Sequence, residues 1–180
     1  MIPLTAMSAS QSSSNMWKTA VYAGVATGVI ALVMTLVIGV PVVGPILGLL
    51  IGAGPIVGYD LARGAFGNNW RPVIAGIIGN VLFLAGIFLP GEAFPVVAGI
   101  VGVLSAILWP IIVGAMVSEQ SLGKLFLGSL LGLILGLVVA LVVASTMGQD
   151  PSQWPRVAGV IFWLVWGGTV GAIMSSWSRR

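Results

Sequence analysis

The chain has 180 residues, of which 58% are hydrophobic and only 6% are charged. A soluble domain carries roughly 25% charged residues because its surface must face water, so this composition excludes a water-exposed globule. The formal net charge of +3, with no basic cluster larger than Arg179-Arg180, excludes a nucleic-acid-binding surface. The sequence therefore predicts an all-α integral membrane protein that forms a single domain surrounded mostly by lipid.

Cysteine and histidine do not occur in the sequence. Disulfides, thiolate nucleophiles and imidazole bases or metal ligands are therefore excluded. The sequence also contains no phosphate-binding loop, and the polar residues of its longer loops form no recognisable catalytic pattern. We expect a protein that is not an enzyme and that has no metal or catalytic cofactor. A bound lipid, quinone or carotenoid needs no ligating side chain and stays open.

Six apolar stretches are each long enough to cross a membrane, which takes about 20 helical residues. Residues 17–59 alone would form a helix roughly 65 Å long, so we expect them to turn back at Gly39-Val40-Pro41. A flexible polar tail is predicted over residues 1–16, before the transmembrane domain at 17–180. The predicted spans are 17–38, 42–61, 73–89, 94–117, 125–145 and 157–177.

The basic residues lie almost entirely on one side of these six spans. That side holds Lys18, Arg63, Arg71, Lys124, Arg179 and Arg180, whereas the other holds only Arg156. The positive-inside rule then places both termini in the cytoplasm, and a bacterial plasma membrane is the expected location. Tryptophans at the span ends are expected to anchor the chain at the two interfaces: Trp17, Trp70, Trp154 and Trp177.

The order of the spans suggests an internal repeat. Lys18, Arg71 and Lys124 are each 53 residues apart, and each opens an odd-numbered span. This spacing predicts three helical hairpins in a parallel repeat, although biased composition alone is an alternative explanation. Gly44-Pro45 and Gly54-Pro55 make the second segment a candidate re-entrant loop instead. Its counterparts at spans four and six favour a true span.

Glycines at four-residue spacing lie on one face of a helix and let neighbouring helices approach closely. Such glycines are Gly24, Gly28, Gly44, Gly48, Gly52, Gly128, Gly132 and Gly136. We expect them to pack helices within the bundle. The alternatives are a glycine-lined pore and a platform for a partner helix.

Asn80 is the only carboxamide deep within a predicted span. An amide in hydrocarbon needs a hydrogen bond, so Asn80 should face the bundle and join two helices, or else line a permeation path. Three tryptophans away from span ends (Trp109, Trp163 and Trp166) are expected to fill space, with contact to a hydrophobic cofactor as the alternative. Within the spans, prolines predict kinks at Pro45, Pro55 and Pro110.

Charged residues outside the spans have plain explanations. Asp60 and Arg63 are three residues apart and are expected to form a solvated pair at the interface. Glu92 and Asp150 lie near prolines in turns on the opposite side.

Two functions fit this pattern. The first is a non-catalytic accessory or scaffold subunit that packs against membrane lipids and other transmembrane helices, in a hetero-complex or a homo-oligomer. The second is a small channel or facilitator for a neutral solute, with a path near Asn80, Thr27 and Ser105. No ionisable residue lies well inside a span, which argues against coupled transport. The sequence favours the accessory subunit.

The charge bias generates a topology prediction. Reporter tags fused to the two ends should both be found on the cytoplasmic face, and a tag inserted in the 146–156 loop should be on the other face. Protease protection in membrane vesicles measures this directly. End tags on opposite faces would contradict an even number of spans.

Overall fold

The computed structural model describes residues 4–36, 43–82, 84, 94–117, 121–147 and 154–176. Side chains are described for residues 15–36, 46–82, 84, 100–117, 121–147 and 157–176. These parts of the chain are helices joined by short turns, and none of them is a strand. The helices are α1 (Leu4–Leu36), α2 (Val43–Ile51), α3 (Gly54–Arg63), α4 (Arg71–Gly79), α5 (Phe94–Met116), α6 (Leu122–Thr146) and α7 (Trp154–Ser176).

Within the described residues, four segments are long and apolar enough to cross a membrane. They are Asn15–Leu36, Ile46–Arg63, Leu122–Thr146 and Val157–Ser176, and Ile100–Met116 is a shorter apolar helix. An all-helical chain with such segments is a membrane protein of the multi-pass type.

The first helix extends further than the sequence suggests. α1 begins at Leu4, inside the polar segment predicted to be a flexible tail. A helix satisfies its own backbone hydrogen bonds, so α1 can continue out of the apolar region without tertiary contacts.

Contacts between α1, α6 and α7 show that neighbouring helices run antiparallel. A Cβ atom added to Gly28 would lie 3.2 Å from the Leu164 side chain, and one on Gly24 would lie 3.4 Å from the Cα atom of Gly168. Advancing along α1 therefore moves backwards along α7. Gly128 packs beside Ile173 and Gly136 beside Phe162, so α6 also runs antiparallel to α7.

The remaining contacts complete a closed ring of helices. Helix α1 packs on α2, α3 and α7; α4 packs on α2, α3 and α5; and α6 packs on α5 and α7. Gly171 lies against the backbone of Thr19, so the two described ends of the membrane segment share one end of the bundle.

The second apolar segment is a broken helix. α2 ends at Ile51 and α3 begins at Gly54, with a turn at Gly52 and Ala53. Pro55 lies in the first turn of α3, where it has no amide hydrogen to give to a preceding carbonyl. Gly54 packs against Thr27 and Gly58 against Ala23. α3 therefore runs antiparallel to α1, towards the N-terminal part of α1. This direction favours a crossing segment over a re-entrant one.

The third apolar segment is also interrupted. α4 ends at Gly79, and the chain continues through a turn at Asn80 into a tighter 3₁₀ turn at Val81 and Leu82. The sequence predicts one span over 73–89, and residues 83 and 85–89 of it lie outside the described chain. The helix is weak at this point because glycine is a poor helix former and the side chain of asparagine competes for backbone hydrogen bonds.

These breaks do not recur in the three predicted hairpins. α1 and α6 are continuous helices of 33 and 25 residues, whereas α4 has only 9. The expected turns at 39–41 and 90–92 lie outside the described residues.

Small residues set the distance between helices throughout the bundle. A Cβ atom on Gly132 would lie 2.9 Å from the carbonyl oxygen of Trp166, and Gly52 and Gly76 pack backbone against backbone. In lipid the hydrophobic effect does not drive helices together, so these close contacts contribute dispersion energy that larger side chains would prevent.

A glycine-to-alanine pair tests this packing. Gly58→Ala should lower the thermal unfolding midpoint in detergent by several degrees, because the new methyl group overlaps the backbone of Tyr22 and Ala23 in α1. Gly123→Ala is the matched control, since nothing lies within 4 Å of its added Cβ atom. It should leave the midpoint unchanged or raise it, because alanine is the better helix former. Equal midpoints for the two variants would contradict close packing of α3 on α1.

Candidate functional site

Polar side chains collect in the interior of the bundle. Thr27, Asn80, Ser105 and Ser129 are each 0–1% exposed, and all four are neutral. Buried polar groups without a partner are costly in a low-dielectric interior, so the partners of each group decide what this centre can do.

Asn80, the first of these polar residues, forms a hydrogen bond between the two broken helices. At the end of α2 the amide of Gly52 donates to the carbonyl oxygen of Leu49 at 3.2 Å, three residues back instead of four. The Gly48 carbonyl is therefore left without its helical donor. Asn80 Nδ2 donates to that Gly48 oxygen at 3.1 Å. The break in α4 thus supplies the hydrogen bond that the break after α2 requires.

The indole of Trp109 satisfies a second carbonyl that is freed at the same break, that of Gly52. The amide of Ile56 donates to Ala53 at 3.1 Å rather than to Gly52, so the Gly52 carbonyl is also free. Trp109 Nε1, from α5, donates to it at 2.8 Å. The indole is fully buried, and its Cδ1 atom would lie 2.7 Å from a Cβ atom on Gly79. Only glycine leaves room for the ring at this position.

A third free carbonyl arises inside α5. Pro110 has no amide hydrogen, so the carbonyl oxygen of Ala106, four residues earlier, lacks its usual partner. The Ser129 hydroxyl of α6 donates to this oxygen. Trp166 Nε1 of α7 in turn donates to Ser129 Oγ at 3.1 Å. One chain of hydrogen bonds therefore joins α5, α6 and α7.

Tryptophan rings close the space around these bonds. The rings of Trp109 and Trp166 meet edge to face with centroids 5.4 Å apart, and Trp163 meets Trp166 in the same way at 5.3 Å. Trp109 and Trp166 have no exposed surface. The rings fill space inside the bundle, as the sequence predicts, and they close its centre.

Two polar atoms of the centre have no hydrogen-bond partner among the described residues. They are Asn80 Oδ1 and Ser105 Oγ. The orientation of the amide is set by its bond to Gly48, because a carbonyl oxygen only accepts and must face Nδ2. The atom left over at Asn80 is therefore an acceptor.

Ser105 lies on α5, the helix that packs against α4. Ser105 precedes Trp109 by one helical turn, and the Trp109 ring touches Gly79, the neighbour of Asn80. Gly52 packs against Gly76 while Gly48 bonds to Asn80, so α4 runs antiparallel to α2. Gly114 packs against Leu122 while Ala106 bonds to Ser129, so α5 runs antiparallel to α6. Together with the directions of α1, α3 and α7, these contacts make α4 and α5 antiparallel. Moving from Trp109 back to Ser105 therefore follows the same direction as moving from Gly79 on to Asn80.

The other predicted residues lie elsewhere. Thr27 sits between Gly54 and Gly167, and its hydroxyl donates to the Ala23 carbonyl at 2.7 Å, so it does not add a free polar group. Arg63 donates to the Tyr59 hydroxyl at 2.6 Å and lies over the ring of that residue.

The glycines that the sequence predicts to pack helices lie mostly at contacts between helices. Gly24, Gly28, Gly52, Gly128, Gly132 and Gly136 all face a neighbouring helix of this chain. The backbone carbonyl of Gly48 joins the centre, while only the backbone of Gly44 is described, in α2.

The interfacial tryptophans are only partly described. Trp17 and Trp70 are 71% and 53% exposed. Trp154 begins α7, where only its backbone is described, and Trp177, Glu92 and Asp150 lie outside the described residues.

The role of Ser129 and the hydrogen bonds of the Trp109 and Trp166 indoles are not predicted from the sequence. A signal for Ser129 exists in Pro110, which frees a carbonyl in α5 that a neighbouring helix must satisfy. It does not indicate which helix supplies the donor, because that depends on tertiary packing.

Comparison with known proteins finds no matching family model, no similar curated protein and no similar solved structure. The fold and the polar centre themselves define the class, a multi-pass α-helical membrane protein with two interrupted helices.

The indole bond to Gly52 generates a stability prediction. Trp109→Phe should destabilise the protein by about 1–3 kcal/mol beyond the loss of ring area, because the Gly52 carbonyl is left buried without a donor. Trp70→Phe, at an exposed position, should change stability by less than about 0.5 kcal/mol. Reversible unfolding of both variants in detergent measures the difference. Equal losses would show that the bond between α5 and Gly52 contributes nothing.

Proposed function

We propose that this chain is a non-catalytic, six-span protein of the cell membrane that lets a small neutral solute cross through its polar centre. The proposal depends on one observation, the two unpaired polar atoms Asn80 Oδ1, at the end of α4, and Ser105 Oγ, in α5. A buried polar group without a partner costs about 1–3 kcal/mol, so each unpaired atom is a position where a passing polar molecule gains a hydrogen bond.

Broken helices support the same role. Irregular backbone at membrane depth occurs where it is buried in protein or lines a cavity, and solute sites of membrane transporters commonly lie at discontinuous helices. The turns at Gly52-Ala53 and Asn80 also provide the points at which α2 and α4 can move. Such movement is required because Trp109 and Trp166 close the centre. The protein thus resembles a gated facilitator more than an open pore.

The charge of the centre indicates the kind of solute. Every polar side chain that is buried among the described residues is neutral. An ion would lose its hydration without gaining a counter-charge, whereas a neutral molecule only exchanges hydrogen bonds. Movement down a gradient, without coupling to protons or ions, needs no buried charge.

The six-span arrangement belongs to this proposal. Antiparallel packing around the ring supports an even number of crossings, with α2–α3 as one broken span and α4 as the start of another. The side with Lys18, Arg63 and Arg71 is then cytoplasmic and contains both termini, and the spans form three hairpins, with or without an internal repeat.

An accessory or scaffold subunit is the second candidate. Its support is α6, which exposes most of its apolar surface and buries a narrow stripe: Leu125, Gly128, Ser129, Gly132, Gly136 and Ala140. Another transmembrane helix, or lipid alone, can cover that surface. The glycine faces support this role less than the sequence suggests, because Gly24, Gly28 and Gly128–Gly136 are already occupied by α7. For this reason we rank the facilitator first.

Reconstitution distinguishes the two functions. Liposomes that contain only the purified protein should become permeable to small neutral solutes, and Asn80→Leu should reduce that permeability because it removes the acceptor at the centre. Asn68→Leu, at an exposed loop position, is the matched control and should behave like the wild type. Stopped-flow light scattering follows the solute flux.

A different result would favour the accessory role. Liposomes as tight as protein-free ones, together with a second subunit in constant proportion by native mass spectrometry of mildly solubilised membranes, would overturn the facilitator.

A further inference from the structure

We infer that Asn80 Oδ1 and Ser105 Oγ form one site, which takes a small neutral molecule bearing N–H or O–H groups. The inference deepens the proposed facilitator function and rests on it. It names the chemical class of the solute and assigns Ser105, on α5, as the second residue that binds it.

The two atoms complement each other as hydrogen-bonding groups. Asn80 Oδ1 can only accept, because Nδ2 is held by the Gly48 carbonyl. Ser105 Oγ can accept or donate. The bound molecule must therefore present at least one N–H or O–H group to Asn80, and a second polar group of either kind to Ser105. Urea and glycerol meet this requirement, and water is the smallest molecule that does.

Both residues are held on elements that face each other. Trp109 lies one turn after Ser105 and is tied to the Gly52 carbonyl, beside which the Asn80 side chain also lies. Ala106, next to Ser105, is tied to Ser129 of α6. These bonds hold the α5 turn that carries Ser105 against α6 and the break between α2 and α3, and the Trp109 ring lies beside Gly79 of α4. Both side chains are 0% exposed, so a molecule bound between them is enclosed by protein.

Ions and apolar gases do not fit this site. No charged side chain is buried among the described residues, so a bound ion would have no counter-charge. An apolar gas would leave both polar atoms unpaired and gains nothing from them. The selectivity of the site is therefore for hydrogen-bond donors without charge.

Ser105→Ala in proteoliposomes tests the assignment. The variant should lower the permeability to urea and glycerol roughly threefold to tenfold, which corresponds to the loss of one neutral hydrogen bond. Ser105→Thr keeps the hydroxyl and should retain more of the flux than Ser105→Ala. Ser145→Ala is the matched control, because Ser145 is exposed on α6 and bonds only to its own helix at Val142. Potassium and chloride fluxes should stay at the level of protein-free liposomes.

Thermal unfolding in detergent excludes a folding defect. Ser105→Ala removes an unpaired buried hydroxyl, so its unfolding midpoint should equal or exceed that of the wild type. A lower solute flux at an unchanged midpoint supports the site.

Three outcomes would overturn the inference, and they differ in what else they affect. Wild-type liposomes that pass no neutral solute would overturn both this site and the proposed function. Neutral solute flux that Ser105→Ala leaves unchanged would overturn the site alone. Potassium or chloride flux above that of protein-free liposomes would overturn the assigned solute class.

Discussion

A carbonyl oxygen that loses its helical partner inside a membrane must find another donor, because neither water nor lipid supplies one. Among the described residues, the carbonyls of Gly48, Gly52 and Ala106 are in that position. Each is satisfied by a side chain from a different helix: Asn80, Trp109 and Ser129. Interruptions that would weaken an isolated helix thus become the connections between helices. They tie α2–α3 to α4 and α5, and α5 to α6 and, through Trp166, to α7.

Close packing and helix breaks depend on each other in this arrangement. Gly52 lies in the turn after α2, and its missing side chain admits Gly76 of α4. The approach of α4 then brings Asn80 within reach of Gly48. In the same way Gly79 leaves room for the Trp109 ring, which bonds to Gly52. A larger residue at either glycine would remove a hydrogen bond as well as a packing contact.

The sequence contains enough to predict the helical membrane class, but only part of the centre. Composition decides the class because so few charges cannot cover a water-exposed surface. Asn80 can be located inside the bundle because an amide has no alternative in hydrocarbon, and the glycine spacing identifies helix faces. Pro55 predicts a kink close to the break at Gly52-Ala53. The exact position of the break is not predicted, since an apolar stretch that is buried on several sides shows no periodicity. The partner of each freed carbonyl is also hidden, because Trp109 and Gly52 are far apart in the chain and meet only through tertiary packing.

The most informative atoms of the centre are the two buried side-chain atoms that have no partner among the described residues. The carbonyls of Gly48, Gly52 and Ala106 each receive a donor from the chain, yet Asn80 Oδ1 and Ser105 Oγ receive no partner among the described residues. Alanine at position 105 would remove one unpaired group without leaving a carbonyl unsatisfied. The Ser129 hydroxyl satisfies Ala106, whereas the Ser105 hydroxyl has no such role among the described residues. This difference is the reason for proposing a bound molecule at Ser105, and the neutrality of the centre favours an uncharged hydrogen-bond donor in that proposal.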